Sequence, residues 1–437
     1  MPRKKSQATP YKIATCGIDP YCYCWGEQRG LQLTRSNYES LTADIPFDQL
    51  PGTIQDSILV TIRLGLQYLW VDALCIVQDC PEDWYLEAGK MCDVYQGCSI
   101  ALVASAASNS GEGLFAARDP LLQAPCVLLG TMVAQSRDEY QRQQTYPWVL
   151  ETRGWAMQEH LLPTRCIKFA SYLIWECREL SINEFGLESQ LDTDNLPRDF
   201  SSLILEPEDM DLVDITRIRR LWWLILKKYK KSRLSVKSDR LAAIAGLCSA
   251  IQRRTGWTFI CGLWQPFIIQ ELLWYRSHGA NGSTGLRPSW SWASCDGGVQ
   301  FVTDQDHIGS TKVAEYVGTL PSPSARARSF SPATIELSGV LFRTRKVGKS
   351  QVLRVEGWPD SSYNYTIYDQ SDRPWTDGDM LLPLSVWDGR QVVKGLVVAP
   401  TISPATFERV GEDLKRLLTS LKGSGEEPFV RRKILLI

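Results

Sequence analysis

Several common catalytic signatures are missing from this chain. It has no Gly-x-x-x-x-Gly-Lys phosphate loop, no Gly-x-Gly-x-x-Gly turn and no Gly-x-Ser-x-Gly elbow, so the usual nucleotide and hydrolase signatures are absent. Histidine is scarce, with only His160, His278 and His307, and no Cys-x-x-Cys pair occurs. A structural zinc site is therefore not expected, and no metal ligand is assigned. Long apolar runs are also lacking. None reaches the roughly 18 residues needed to cross a bilayer, so no membrane span is expected. The first ten residues, MPRKKSQATP, are basic but lack the apolar stretch of a signal peptide. Charge excess is absent too. The formal net charge is −1, which argues against a whole-chain nucleic-acid binder.

What the chain does have is length, core-forming residues, cysteine and tryptophan. Its 437 residues suffice for two or three domains, and 44% are hydrophobic, enough for a sizeable core. There are 13 Cys, an odd number, and several lie inside apolar segments such as Leu74-Cys75-Ile76. That pattern fits reduced, core-filling thiols in a soluble cytoplasmic protein better than a disulfide framework. The 16 Trp suggest broad aromatic packing and a stacking surface.

The stretch from Tyr68 to Ser105 organises the N-terminal part. Tyr68–Val77 reads as a buried strand, with Asp72 inside it as a hydrogen-bonded structural residue. Asp79 can cap a helix opening at Pro81, and Glu82 and Asp83 suit its first turn. Gly97 ends that helix, and Ser99–Ala104 reads as the next strand. A strand–helix–strand unit of this length implies parallel pairing with a right-handed crossover. The helix carries an apolar stripe of Trp84, Ala88, Met91, Val94 and Tyr95. Glu87 falls on that stripe, three residues from Trp84. A carboxylate facing a core is expensive unless it is paired or lines a cleft. A partnered Glu at the stripe's edge and a functional carboxylate are both compatible with the spacing.

Upstream, residues 1–20 read as an arm and Tyr21–Gly26 as a short strand. The Leu50-Pro51-Gly52 run opens a helix with Ile54, Ile58, Ile62 and Leu66 at four-residue spacing. Together residues 21–105 predict an α/β arrangement with a mainly parallel sheet. Downstream, Arg153–Arg165 carries a helix with Trp155, Gln158, Glu159 and Leu162 on one face, and His160 reads as a packed histidine. Cys166–Ala170 and Leu173–Glu176 read as a hairpin. Residues 181–210 read as a long acidic loop. Helices are expected over 211–233, with a basic, solvated last turn, over 239–253 and over 262–275. From Pro288 the period shifts to two, a mostly antiparallel β region interrupted by a flexible insertion at 321–332. The expected division is 1–180, 181–287 and 288–437.

In an open parallel sheet, ligands bind beyond the carboxyl ends of the strands. Trp25, Gly26, Val77–Asp79 and the start of the Glu87 helix fall at that edge. These residues carry a resemblance. Cys22-Tyr23-Cys24-Trp25-Gly26, Leu50–Asp56 with Leu64–Tyr95, and Arg153–Arg165 resemble the three blocks of the fungal heterokaryon-incompatibility (HET) domain. Cys22 stands where Ser is usual, and Ala156-Met157 replace Thr-Leu. The similarity continues through Asp239–Gly246, Gly262–Trp264, Pro288–Ser294 and Phe407–Gly411.

The resemblance implies a role in nonself recognition and programmed cell death. HET domains are also similar to TIR domains, many of which cleave NAD⁺ at the nicotinamide–ribose bond. The similarity implies a TIR-like fold, Glu87 as catalytic carboxylate in a Trp84-Tyr85-Leu86-Glu87 context, and NAD⁺ as substrate rather than cofactor. Trp25, Gly26, Asp79 and Trp84 would then contact the substrate, with Trp25 and Trp84 flanking its rings and Asp79 ordering the loop. It also implies self-association and a protein trigger. Two other readings stay open: a binding or signalling module without chemistry, and recruitment into a small-molecule pathway.

Overall fold

The strand Ile18–Cys22 lies inside a six-stranded sheet, with Tyr68–Trp70 on one side and Ala101–Val103 on the other. Arg165–Phe169, Leu173–Cys177 and Ser181–Asn183 complete it in that order. The first four strands in space are parallel, and the last three form an antiparallel meander. The sheet is therefore mixed, with helices packed on it, an α/β arrangement. The computed structural model describes residues 18–26, 30–115, 126–128, 132–134, 149–184, 196–205, 212–276, 288–301, 310–321, 333–346, 353–355, 366–369, 380–387, 392–400, 406–414 and 432–436. The chain divides into two compact units, residues 1–206 with 243–250, and residues 207–242 with 251–437.

Two helices form where the apolar spacing predicts them. Gly52–Arg63 buries Thr53, Ile54, Ser57 and Thr61, so the face expected as core is not the buried one throughout: Ile62 is 66% exposed. Pro81–Gly97 starts on a proline at its first turn and buries Glu87, Ala88, Met91, Cys92, Val94 and Tyr95. The hairpin at 165–177 is also as expected.

Other local expectations give way to tertiary contacts. Tyr68–Val77 is not one strand. The strand stops at Trp70, and Asp72–Cys75 is a single helical turn, closed by the Cys75 N–H on the Val71 carbonyl at 2.8 Å. Asp72 drives this turn, because its Oδ1 accepts the Ala73 N–H at 2.7 Å. Asp79 does not cap the following helix. Cys80 is the residue preceding that helix and makes no side-chain cap. The strands flanking the Glu87 helix are parallel but not neighbours, because Ile18–Cys22 sits between them. That strand begins at Ile18, inside the stretch read as an arm, and ends at Cys22, before Trp25. Residues 1–17 lie outside the described residues.

Within 181–210, expected as a loop, Ser181–Asn183 is a strand, Leu196–Phe200 an α-helix and Ser201–Leu205 a π-helical turn. Its residues 185–195 and 206–210 lie outside the described residues.

The core of the first unit joins Tyr21, Tyr23, Ile54, Val71, Leu102, Leu114 and Phe169. The Tyr21 and Tyr23 rings stack at 5.0 Å.

In the second unit Leu212–Tyr229 and Ala245–Thr255 are helical, the latter belonging to both units. Residues 262–275 are not one helix. Phe259–Ile260 and Leu263–Trp264 form a hairpin, followed by the short helix Ile268–Glu271. Five tryptophans of this unit, Trp222, Trp264, Trp274, Trp290 and Trp292, are fully buried core rather than a stacking surface. A ten-stranded, mostly antiparallel sheet follows, with one parallel pair between Thr406–Leu414 and Arg432–Leu436. The insertion at 322–332 lies outside the described residues.

Candidate functional site

Two parallel strands, Ile18–Cys22 and Tyr68–Trp70, end side by side, and the chain turns away from each. From the first, residues 23–26 run on to Trp25, whose indole Nε1 donates to Asp72 Oδ2 at 2.8 Å. Asp72 is thereby held on both oxygens, by the indole and by the Ala73 N–H. Gly26 follows with φ at +76°, and a Cβ there would lie 2.4 Å from Asn109 Cβ. Only glycine fits that turn.

A third strand of chain closes over these ends. Arg153 Nη1 donates to the Tyr23 carbonyl at 2.7 Å. The Trp155 ring meets Trp84 edge-on, with centroids 5.9 Å apart. In the Ala156–Leu161 helix, buried Gln158 donates to Met91 Sδ at 3.3 Å and accepts the Gly246 N–H at 3.1 Å. The helices carrying Glu87 and Glu159 are thus in contact. Trp25, Asp72, Trp84, Arg153, Trp155 and Glu159 all keep partial solvent access.

Charge is concentrated there. Loss of water around Glu159 pushes its carboxyl up to about 7, opposed by Arg153 and reinforced by Asp72. Burial likewise raises Asp72, opposed by the Trp25 and Ala73 hydrogen bonds and by Arg153. Burial and then the Glu159 charge hold the Cys22 thiol well above its ordinary value. Desolvation of its sulfur, then the charges of Asp72 and Glu87, push the Cys75 thiol up to about 11. Both carboxylates are therefore within electrostatic reach of one group.

Glu87 lies where the apolar stripe places it, 8% exposed. Its Oε1 pairs with Lys90 Nζ at 2.7 Å, one turn along the same helix, and the Lys90 side chain is 42% exposed. Asp79 sits apart from these groups. It is exposed, and its Oδ1 accepts the Arg35 N–H at 2.8 Å. Asp83 ties the same loop by accepting the Val77 N–H at 2.8 Å. A neighbouring cleft of about 380 Å³ is lined by residues including Arg35, Tyr38, Glu39, Cys80 and Asp83.

The structure thus places Trp25 and Gly26 at one strand end and Trp84 and Glu87 on one helix, and bears out Asp72 as a hydrogen-bonded structural residue, while the sequence pattern assigned no role to Arg153 or Glu159. The signal available for those two was an Arg and a Glu bracketing the apolar run Gly154–Met157. His160, read as a packed histidine, belongs to a charged cluster instead. Its Nε2 is 2.8 Å from Glu176 Oε2 and 2.9 Å from Lys168 Nζ. Among the described residues no group of His, Cys, Asp and Glu is arranged to hold a metal, and no helix is long and apolar enough to cross a membrane.

Ionising Glu159 works against folding. Its value in the folded protein exceeds the ordinary 4.5, so the penalty begins above pH 4.5 and is complete above about 7. Glu159→Gln should raise the melting temperature above pH 7 and leave it nearly unchanged near pH 4.5. The gain has an upper bound of about 3 kcal/mol. Equal melting-temperature shifts at both ends of that range, read by circular dichroism, would refute the assignment.

A family model described as heterokaryon incompatibility protein (HET) matches residues 22–159, from the end of the first strand to Glu159. No curated protein and no solved structure matches the chain.

Proposed function

Residues 22–159 being a HET domain, we propose that the chain acts in nonself recognition and programmed cell death by hydrolysing NAD⁺ at the nicotinamide–ribose bond. The observation that carries this reading is a carboxylate, Glu87, 8% exposed on the buried face of the Pro81–Gly97 helix beside Ala88, Met91 and Val94. In the reaction the C1′–N1 bond breaks and its electron pair goes to the departing nicotinamide. Positive charge develops on the ribose, and water then adds at C1′ and gives up a proton to solvent. Glu87 faces that charge and stabilises it, as glycosidase carboxylates do. Lys90 orients the carboxylate from the solvent side. Trp25 and Trp84 flank the rings, Gly26 keeps the strand end open to the substrate, and Asp79 orders the loop through Arg35. NAD⁺ is a substrate in this scheme, and self-association or a protein trigger would complete the site.

Nicotinamide release by the purified chain at high concentration, with a crowding agent, tests this reading. Glu87→Ala should lower the rate by at least about 100-fold while circular dichroism stays unchanged. A folded Glu87→Ala protein that consumes NAD⁺ at the wild-type rate would refute it. The Lys90 pair also supports a second reading, a binding module in which Glu87 is satisfied within its own helix. That reading predicts no nicotinamide release from wild type under any of these conditions.

A further inference from the structure

The helix Leu212–Tyr229 ends with Lys227 and Lys228, which suit the negative end of its dipole. The dipole's reach stops with that last turn, but the basic residues do not. Residues 227–240 hold seven Lys and Arg against one acid, Asp239. Lys227, Lys231, Arg233 and Lys237 are exposed. Two bonds fix the course of the stretch. Tyr229 Oη donates to the Arg240 carbonyl at 2.6 Å, and the Asp239 N–H donates to the Val236 carbonyl at 3.1 Å.

The fold brings an acid from elsewhere in the chain to this stretch, Asp296, and two cations occupy it. Lys237 Nζ lies 2.6 Å from its Oδ2, and Arg240 Nη2 lies 2.5 Å from its Oδ1. A third cation, Lys230, is buried and donates to the Trp292 and Cys295 carbonyls, at 3.3 and 2.6 Å. Among the described residues, Lys227, Lys231 and Arg233 form no ion pair. Their positive charge faces solvent.

An apolar side chain stands among these cations. Val236, flanked in sequence by Arg233 and Lys237, is 52% exposed. Cations around an exposed apolar residue suit a bilayer surface, where phosphates meet the charges and acyl chains meet the side chain. A single-stranded nucleic acid would call instead for exposed aromatic rings on which bases stack. Tyr229, the aromatic residue of the stretch, is buried. We propose that residues 227–240 form a docking face for an anionic lipid surface, with Lys227, Lys231 and Arg233 against the headgroups and Val236 entering the interface. This docking is independent of the chemistry assigned to Glu87. Each exposed charge adds roughly 5-fold in affinity and acts within a Debye length, about 10 Å at 0.1 M salt.

The test is co-sedimentation of the full chain with vesicles of equal parts phosphatidylcholine and phosphatidylserine, against vesicles of phosphatidylcholine alone. Wild type should bind the mixed vesicles at about 0.1 M salt and largely leave them at about 1 M, where the Debye length is about 3 Å. Binding to the neutral vesicles should be at least about 10-fold weaker. Lys227→Gln, Lys231→Gln and Arg233→Gln together should lower affinity for the mixed vesicles about 100-fold, three factors of roughly 5. Circular dichroism should be unchanged, because all three side chains are exposed. Val236→Ser should cost roughly 5-fold through lost apolar contact.

No binding to the mixed vesicles, equal binding to both kinds, or a folded triple variant that binds as wild type would overturn the proposal. Unchanged vesicle affinity in Val236→Ser would do the same, since bare charge attraction fits any polyanion. Wild type that binds a single-stranded oligonucleotide but not the mixed vesicles would assign the face to nucleic acid instead. If the triple variant does not fold, Lys231→Gln alone decides, with an expected loss of roughly 5-fold.

Discussion

Lys168→Met should destabilise the first unit by about 3–5 kcal/mol, the range for breaking a buried ion pair from one side. Lys168 is 3% exposed, in the middle of a strand. Its Nζ reaches Glu176 at 3.0 Å, His160 at 2.9 Å and Glu151 at 3.4 Å. Cys166 pairs directly with Glu176 and Lys168 with Ile174, so Lys168 and Glu176 are diagonal neighbours on one face of the hairpin. Burial alone would lower the Lys168 value, but Glu176 and Glu151 outweigh it and hold the ammonium well above its usual range. Burial alone would raise Glu176, but Lys168 and His160 carry it well below the carboxylate range.

The sign of the pH dependence follows. A carboxylate whose folded value is depressed contributes stability above its ordinary 4.5 and loses it as pH falls below that. The gap between wild type and Lys168→Met should therefore be full at pH 7 and should narrow as pH drops below 4.5. Adding Glu176→Gln to Lys168→Met should recover part of the loss at pH 7, since the buried carboxylate is then gone. Urea unfolding of the three proteins measures this. A loss under about 1 kcal/mol at pH 7 would mean that water reaches the cluster and screens it.

Gly262→Ala should destabilise the second unit by about 3 kcal/mol or more. The hairpin joining Phe259–Ile260 to Leu263–Trp264 has a two-residue turn, and both residues have positive φ, +45° at Cys261 and +109° at Gly262. Such primed turns match the twist of paired strands but suit few side chains. A Cβ on Gly262 would lie 2.7 Å from Trp292 Nε1 and 3.0 Å from Ser291 Oγ. Those atoms cannot simply move aside. Trp292 is fully buried and its Nε1 donates to the Gly262 carbonyl at 2.6 Å, while Ser291 Oγ donates to the Cys261 carbonyl at 2.5 Å. Backbone strain of about 1–3 kcal/mol and overpacking of about 1–3 kcal/mol therefore act together. Cys261→Gly is the control. It relieves one strained φ and should be far milder than Gly262→Ala in the same thermal melt. Equal losses for the two would show that buried Cys261 packing, not turn geometry, dominates.

The helices over Gly52–Arg63 and Pro81–Gly97 were legible from their apolar period, and the 165–177 hairpin from its two apolar runs. These depend on neighbours three or four residues apart, or across one tight turn. Glu87 was legible for the same reason, because a helix fixes which face each residue takes. The helix expected over 262–275 failed because Cys261 and Gly262 adopt a turn conformation that an apolar tally does not register. Tyr68–Val77 failed as a strand because Asp72 hydrogen-bonds its own neighbour and bends the chain.

The sequence by itself determined the local elements of the first unit, the three motif blocks and the position of Glu87 on a buried helix face. Tertiary structure alone decided the strand order, with Ile18–Cys22 inserted between the two strands that flank the Glu87 helix. It also brought Asp72 to Trp25 and Arg153 to Tyr23. The contacts that gather them span 47 residues between Trp25 and Asp72 and 130 between Tyr23 and Arg153. No local period encodes such a meeting. It follows from which strands pair and in what register, and that is settled by burial of the whole sheet rather than by any one segment.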